Sequence, residues 1–399
     1  MGIRTMPWSE WIELDSKFVA YQQIRDARLR TGGKSVLQVL PSQSFSPLRA
    51  GEDNREGHEC VNVTGGAEAA RELVYELAEF LSRRYPLSFK VSRVTSSPST
   101  SLKDDIATIE GIPLAWHGLM PIKAIHVVDT GITYSLSTLE AVEDPRMGEE
   151  ALKFVNGLTQ DDFAIMVEDR TASITSRLNW SSYRVCLLPD CYCDGTTVVN
   201  ADRLSDDPGF WRMRDKIGMP LNEIHISGGV PQFKEKLQMS MSRFFKRLPV
   251  DKPVIWNDYS IQAVSATKNP EDVDPNELSW SFTQNGPEDT FADGRGHSSA
   301  PIPHLSPKTL RLHTEHQTLH RLPRTGAIVF GIQTYQVGVE ELVREGTGVA
   351  ARLASAVRSW PRDVAGYKGR RRWEEELLGY LDGKKGGGGS VEGELPYPF

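Results

Sequence analysis

The stretch "LRLHTEHQTLHRLPRTGAIVFGIQTY", residues 310–335, decides the fold prediction, because its local structure also decides what its three histidines can do. His313, His316 and His320 are spaced by three and four positions, so a helix would gather them on one face where they could bind a metal ion. A strand alternates its side chains, which would place His316 and His320 on one face and His313 on the other.

Three features of this stretch favour strands. Thr314 and Thr318 are β-branched, and the run 327–330 that follows is apolar. Between them lies "PRTG", residues 323–326, a turn whose positive-φ position suits Gly326. The stretch therefore predicts a β-hairpin.

This hairpin has consequences for its polar side chains. It argues against a three-histidine metal site and leaves the histidines as exposed or half-buried side chains. It also places Glu315 on the same face as His313. The ordinary interpretation of Glu315 is a surface pairing with Arg311 or Arg321, which would contribute little to stability.

Composition excludes several function classes. The chain has 399 residues, a formal net charge of −7 and a pI near 5.8, whereas nucleic acid and anionic membranes are bound by concentrated basic surfaces. The basic run 368–372 is predicted to be a solvated helix start. No apolar run approaches the roughly 20 residues that span a bilayer, and the N-terminus lacks a signal peptide's hydrophobic segment. We expect a soluble cytoplasmic protein that binds no membrane.

The order of elements predicts an α+β fold. Helical periodicity at 66–86, and a second helix predicted over 8–30, make a helical layer of residues 6–95. Short β-rich runs from about 110 to 336 predict an antiparallel core, and two amphipathic runs predict C-terminal helices at 338–382.

Three further segments complete the organisation. The segment 231–249 predicts a helix with one apolar stripe, which consists of Phe233, Leu237, Met241, Phe244, Phe245 and Leu248. Residues 268–306 lack periodicity and predict a flexible insertion, and residues 383–399 predict a disordered tail.

His225 lies in "EIHISGGVPQF", residues 223–233, just before a Gly-Gly-Val-Pro turn and the next helix. A neutral imidazole at such a junction suits an axial ligand of haem iron, and the apolar stripe of the next helix suits a porphyrin face. An ordinary capped or core histidine is the alternative. The residues alone leave both interpretations open.

Three motifs in order carry a family resemblance: "DKIGMPLNEIHISGGVPQFKEKLQMSMSRFFKRL", then "WNDYSIQ", then the hairpin. This arrangement resembles the haem-dependent oxidative N-demethylase α-subunit-like proteins, a family abundant in filamentous fungi. The similarity runs from near Trp8 to about Leu381, and the hairpin is its most specific part.

The resemblance implies one domain over residues 6–382, with a PAS-like antiparallel sheet flanked by N- and C-terminal helices. It implies haem b, O₂ and oxidative N-demethylation of a small amine such as dimethylamine, with electrons from a separate flavin and iron–sulfur reductase. His225 matches the family's Ile-His element and is the candidate axial ligand of the haem iron. Glu315 matches the hairpin glutamate and is the candidate catalytic carboxylate, pairing with the substrate ammonium or taking its proton.

The sequence also departs from the family pattern. His225 is followed by Ile-Ser-Gly-Gly-Val-Pro in place of x-Pro-Val-Pro, and Asp258-Tyr259 stands where an Asn-Trp pair is usual. The first departure bears on haem ligation, and the second predicts a different substrate if these positions shape the amine pocket. Tailoring of a secondary metabolite and growth on methylamines are both open as the physiological role. A haem-binding sensor or carrier without turnover, and a haem-free relative with another pocket function, are the competing hypotheses.

Overall fold

The fold is described by a computed structural model, which places residues 2–32, 36–39, 44–45, 61–62, 66–94, 122–141, 146–168, 183–189, 217–264, 277, 283, 305–346 and 348–384. Most of the predicted insertion 268–306 and the tail from residue 385 onward lie outside these residues, as do Cys60, Cys191 and Cys193.

A seven-stranded antiparallel sheet forms the centre of the molecule, with strands in the order β1-β10-β11-β12-β8-β9-β2. Two smaller sheets pair β3 with β4 and β5-β6-β7 in sequence. The strands, numbered in chain order, are β1 (Arg4–Thr5), β2 (Leu37–Val39), β3 (Ser44–Phe45), β4 (Val61–Asn62), β5 (Phe89–Arg93), β6 (Ile122–Val127), β7 (Ile132–Ser135), β8 (Asp162–Glu168), β9 (Tyr183–Pro189), β10 (Val254–Ala263), β11 (Leu310–Arg321) and β12 (Ile328–Gly338).

Helices pack on both faces of this sheet. They are α1 (Phe18–Gly32), α2 (Gly66–Arg84), α3 (Arg146–Leu158), α4 (Leu221–Ser227), α5 (Gln238–Arg247), α6 (Val339–Arg344), α7 (Val349–Arg358), α8 (Arg362–Tyr367) and α9 (Glu374–Lys384), with a π-helical turn at Phe233–Leu237. The mixture of helices with antiparallel sheets confirms the predicted α+β class. Among the described helices, none combines the length and the apolar character needed to cross a membrane.

The predicted hairpin is present. β11 and β12 pair antiparallel along their whole length, and Gly326 in the turn has φ 71°. The amide of Leu322 donates to the carbonyl of Ala327 at 2.8 Å, which closes the loop. Glycine takes this positive φ without the Cβ clash that other residues meet, so the local sequence fixes the register of the two strands.

The two faces of the large sheet have different partners. The back face, defined as the side that carries His316 and His320, also carries Ile255 and Val329, which share a core with α2 and α3. The front face, defined as the side that carries Glu315, also carries Leu319. Leu319 packs with Leu221, Ile224, Phe245 and Leu248, so α4 and α5 cover the front face. At the other end of β10 and β11, Ile261 and Leu310 pack on α7 and α9.

Two predicted helices differ from the structure. The N-terminal helix begins at Phe18 and not at Trp8, because Trp11 and Ile12 are buried in the core and Asp15 accepts from the amide of Lys17 at the helix start. The single apolar stripe predicted in 231–249 is interrupted by the π-helical turn, which adds a residue to that turn and leaves Leu237 41 % exposed.

Part of the predicted flexible insertion is anchored. Glu277 and Thr283 are buried, and the Glu277 carboxylate accepts from the amide of Thr283 at 2.9 Å. The side chain of Gln262 on β10 donates to the carbonyl of Glu277 at 3.2 Å. These two positions therefore pack beside the sheet.

Candidate functional site

His225 lies on α4 with its ring held on two sides. Its Nδ1 lies 2.7 Å from the carbonyl of Leu221, and its ring stacks on Phe233 with centroids 4.7 Å apart and planes 10° from parallel. A carbonyl oxygen only accepts, so Nδ1 carries a proton, and in the neutral tautomer of the ring the lone pair would lie on Nε2. That tautomer and that fixed plane are what an axial metal ligand needs.

The turn after α4 explains how Phe233 reaches the histidine. Gly229 has φ 62°, and the amide of Val230 donates to the carbonyl of His225 at 3.1 Å, so the chain reverses sharply. Gln232 follows with φ 58°, the one positive φ at a non-glycine position in the described ranges. The Gly-Gly turn thus places Phe233 against the imidazole.

An aromatic floor lies beside α4 on the front face. Trp256 and Phe330 stack with centroids 5.6 Å apart and planes 10° from parallel, and both pack with the cluster formed by α4, α5 and the sheet. Two apolar side chains near the π-helical turn, Leu237 and Met239, are 41 % and 43 % exposed. An imidazole that carries its proton on Nδ1 has the donor chemistry of a haem ligand, and exposed apolar side chains such as Leu237 and Met239 are of the kind that packs on a porphyrin.

Glu315 lies further along the same face and is only 7 % exposed. Gln317 donates to its carboxylate, and His313 Nε2 lies 3.4 Å from Oε1. Burial raises the pKa of Glu315, but the hydrogen bonds from His313 and Gln317 and the charge of Lys368 outweigh it, so the pKa lies below its ordinary value. Glu315 is therefore a buried carboxylate and not the surface glutamate that its ordinary interpretation required.

Asp258 stands directly opposite Glu315 on the neighbouring strand. Lys368, 4 % exposed, donates to Asp258 Oδ1 at 2.5 Å and to the carbonyl of Tyr259 at 2.5 Å. Its ammonium also lies 5.2 Å from the ring centroid of Tyr259 and 5.3 Å from that of Trp360. The prediction of a solvated basic run at 368–372 was therefore wrong for Lys368, because its ammonium is buried and forms an ion pair with Asp258.

Helix α8 joins the two parts of the site. At its beginning, Asp363 accepts from the side chain of Gln232 at 2.5 Å, and at its end Tyr367 lies close enough to Asp258 and Glu315 that burial and both charges raise the pKa of its hydroxyl. A six-residue helix is about 9 Å long, so the turn after α4 and the Glu315 region border on the same short element. The structure thus brings both sequence-predicted residues to the front face.

The other hairpin histidines lie on the back face. His320 packs between Trp8 and Trp11, whose ring centroids are 5.6 and 4.7 Å away. Burial lowers the pKa of His320 to about 3. The separation of His316 and His320 from His313 follows the strand prediction, but all three are at most 8 % exposed, so the expectation of exposed or half-buried histidines was wrong.

Sequence reasoning missed Lys368 and Tyr367 as neighbours of Glu315. No periodicity distinguishes Lys368 from the arginines at 370–372. The usable signal was Asp258, the one charged residue in the strand 254–263, because a partly buried carboxylate requires a counter-charge.

The sequence matches a known protein family. A family model described as "HODM_asu-like: Haem-dependent oxidative N-demethylase, alpha subunit-like" matches residues 2–378. The match includes α4, the hairpin and α8, which are the elements that form the candidate site.

Proposed function

Because the chain belongs to the haem-dependent oxidative N-demethylase α-subunit-like family, we propose that it is a monooxygenase acting at a C–H bond beside nitrogen. The reaction would remove an N-methyl group from a small amine or modify a nitrogen-containing metabolite. The observation that carries the proposal is a buried, negatively charged Glu315 on the same sheet face as the helix of His225.

His225 would hold haem b through Nε2, since the Leu221 carbonyl keeps the proton on Nδ1 and Phe233 fixes the ring plane. When bound, the haem supplies activation of O₂. The match to a family named for haem dependence supports this assignment. We also propose that the large antiparallel sheet is PAS-like.

Glu315 would receive the substrate nitrogen. A carboxylate held ionised by His313 and Gln317 can pair with a protonated amine or take its proton, and a C–H bond is easier to oxidise beside a neutral nitrogen. Hydroxylation of that carbon gives a carbinolamine, which collapses to amine and formaldehyde.

The aromatic floor would hold the alkyl groups. Trp256 and Phe330 present an apolar surface beside the polar cluster, and such a surface excludes water from the reacting carbon. Asp258 places a second carboxylate directly opposite Glu315, so the substrate would differ from one recognised by the usual Asn-Trp pair.

Electrons would come from a separate flavin and iron–sulfur reductase in the cytoplasm. The four cysteines at 60, 186, 191 and 193 do not have the spacing of an iron–sulfur centre. The proposal includes two alternative physiological roles for the enzyme, which are the tailoring of a fungal secondary metabolite and the use of methylamines for growth.

The test is formaldehyde release by the haem-reconstituted chain supplied with O₂, an added flavin reductase and a panel of N-methylamines that includes dimethylamine. We expect formaldehyde in proportion to O₂ consumed for at least one amine, and its loss in Glu315→Gln. Haem binding without formaldehyde from any amine would contradict the enzyme proposal and favour a sensor or carrier.

A further inference from the structure

Three polar side chains lie in a row on the back face of the large sheet. Gln333 stands directly opposite His316 across β11 and β12, so the two side chains share this face. The register between β12 and β8 ends at Asp162, and one more step along it sets Asp161 opposite Gln333. Residues opposed in this way have Cβ atoms about 5 Å apart. The polar row, defined as Asp161, Gln333 and His316, therefore runs across β11, β12 and the start of β8.

The polar row is buried, and its hydrogen-bonding atoms lack partners. Asp161 and Gln333 are 0 % exposed, and His316 is 8 % exposed. Both carboxyl oxygens of Asp161, both amide atoms of Gln333 and both ring nitrogens of His316 have no hydrogen-bond partner among the residues that the structure describes. A buried polar atom without a partner costs free energy, so native proteins pair nearly all of them. Water or a ligand must therefore complete the hydrogen bonds of the row.

The row extends from the surface into the interior. At one end, exposed Asn257 stands directly opposite His316 on β10. Tyr335 follows the row by two positions on β12, and its hydroxyl donates to the carboxylate of exposed Glu13 at 3.2 Å. Burial and the charges of Glu13 and Asp161 raise the pKa of Tyr335, so both acids lie near its hydroxyl. The row thus begins beside solvent at Asn257 and ends in the interior at Asp161.

Burial favours the neutral forms of the two titratable groups in the row. It raises the pKa of Asp161 well above its ordinary value, although the charge of Arg25 acts in the opposite direction. Burial also lowers the pKa of His316, so its neutral imidazole has one N–H donor and one lone pair. The other charged or titratable groups that act on these side chains or lie beside them are Arg4, Glu10, Glu13, Tyr85, Asp162 and Tyr335.

The acceptors of the row suit a small organic cation. A carboxyl oxygen of Asp161, the amide oxygen of Gln333 and the imidazole lone pair of His316 are three acceptors at neighbouring positions. An alkylammonium ion carries its N–H donors on one charged nitrogen, and ionisation of Asp161 would balance that charge. The acids around the row disfavour an anion. In the described ranges, no group of three or more His, Cys, Asp or Glu side chains is arranged to hold a metal ion.

We propose that Asp161, Gln333 and His316 form a binding site for a small primary or secondary ammonium ion, on the opposite face of the sheet from Glu315. On binding, the carboxyl proton of Asp161 passes to solvent, and the carboxylate pairs with the ammonium. Gln333 and His316 accept its other N–H bonds. The site involves neither the haem nor Glu315, so it is independent of the proposed function.

The released proton identifies the site. Isothermal titration calorimetry of the full chain with methylammonium chloride at pH 6, repeated in buffers of different ionisation enthalpy, gives the number of protons released per ion bound. Methylammonium stays protonated at this pH, as lysine does, so a released proton comes from the protein. The pKa of Glu315 lies below its ordinary value, so binding at Glu315 would release no proton.

Three variants are compared with the parent protein: Asp161→Asn, Gln333→Met and Asp129→Asn. Asp129 is an exposed residue between β6 and β7, so it controls for the loss of any aspartate. We expect the parent protein and Asp129→Asn to release one proton per methylammonium bound, and Asp161→Asn to release none. Gln333→Met should keep the proton release and bind about tenfold more weakly, because a hydrogen bond to a charged group is lost. If Asp161→Asn does not fold, the parent's proton count and the weaker binding by Gln333→Met still decide the outcome.

Three results would overturn the assignment. Methylammonium binding without proton release would place the ion at an ionised carboxylate such as Glu315 and exclude the polar row, while the proposed function stands. Proton release that persists in Asp161→Asn would come from another acid and would also exclude the row. Absence of methylammonium binding would mean that water alone completes the hydrogen bonds of the row.

Discussion

The side chain of Gln232 donates a 2.5 Å hydrogen bond to Asp363, and this contact joins the turn after His225 to the helix that ends beside Glu315. The two residues are 131 positions apart in the chain. Gln232 adopts a left-handed conformation that costs on the order of 1 kcal/mol, so the surrounding contacts must hold it there. The turn that follows His225 and the surroundings of Glu315 therefore meet at one short helix, α8.

Glu315→Gln should weaken amine binding without disturbing haem. The amide has the shape of the carboxylate but cannot form an ion pair, and a hydrogen bond to a charged group contributes about 1.5–3 kcal/mol, or roughly 10–100-fold in affinity. Spectroscopic titration with dimethylammonium measures the loss. Glu150→Gln on the exposed part of α3 is the matched control. Equal affinities in the two variants would exclude Glu315 as the amine ligand.

The buried pair of Arg25 and Asp162 should be indispensable for stability. Arg25 is fully buried, donates to Asp162 Oδ1 at 2.9 Å and also bonds the carbonyls of Gln160 and Asp161. Arg25→Met leaves a buried carboxylate without its cation, so we expect a loss of about 3–5 kcal/mol in the free energy of unfolding, measured with urea.

The surface pair of Arg71 and Glu68 provides the comparison. Arg71→Met should cost at most about 1 kcal/mol, because solvent screens an exposed pair. The double variant Arg25→Met with Asp162→Asn should recover part of the loss, since the carboxylate that Arg25 neutralises is removed as well. Similar losses in Arg25→Met and Arg71→Met would show that the buried pair is unimportant.

His320 should make the protein sensitive to acid. Its pKa is about 3 in the folded protein, whereas a histidine in the unfolded chain titrates near 6.5. The unfolded chain therefore binds the extra proton between these values, so stability present above pH 6.5 is lost as the pH falls. His320→Leu should reduce the loss between pH 7 and pH 5 by about 2 kcal/mol in urea unfolding. An unchanged pH dependence would mean that His320 is not buried in neutral form.

The hairpin could be predicted from sequence because its information is local. Alternation along Thr314 to Thr318, the apolar run after the turn and Gly326 all agree on one register, so the faces of His313, His316 and Glu315 follow without knowledge of the rest of the fold. The same register could not show that all three histidines are buried. The burial of His320, for example, depends on Trp8 and Trp11, which pack against its ring from the far end of the chain.

The polar part of the site could not be predicted, because its contacts are long-range. Lys368 and Asp258 are 110 residues apart, and the sequence gives Lys368 the appearance of a surface basic run. The π-helical turn is a second case, since one additional residue changes the phase of an apolar stripe that is regular in the sequence. For position 225, the residues alone left two interpretations open, and the family motif favoured a haem ligand.

The visible absorption spectrum of the purified protein, recorded with dithionite and CO beside His225→Ala and His126→Ala, tests the central claim most directly. His126 lies on β6 and contacts Thr133, outside the candidate site, so it controls for the loss of a histidine. We expect a Soret band that shifts with CO in the parent protein and in His126→Ala, and that is lost or altered in His225→Ala. Absence of a Soret band after haem titration, or identical spectra in the three proteins, would contradict haem ligation by His225.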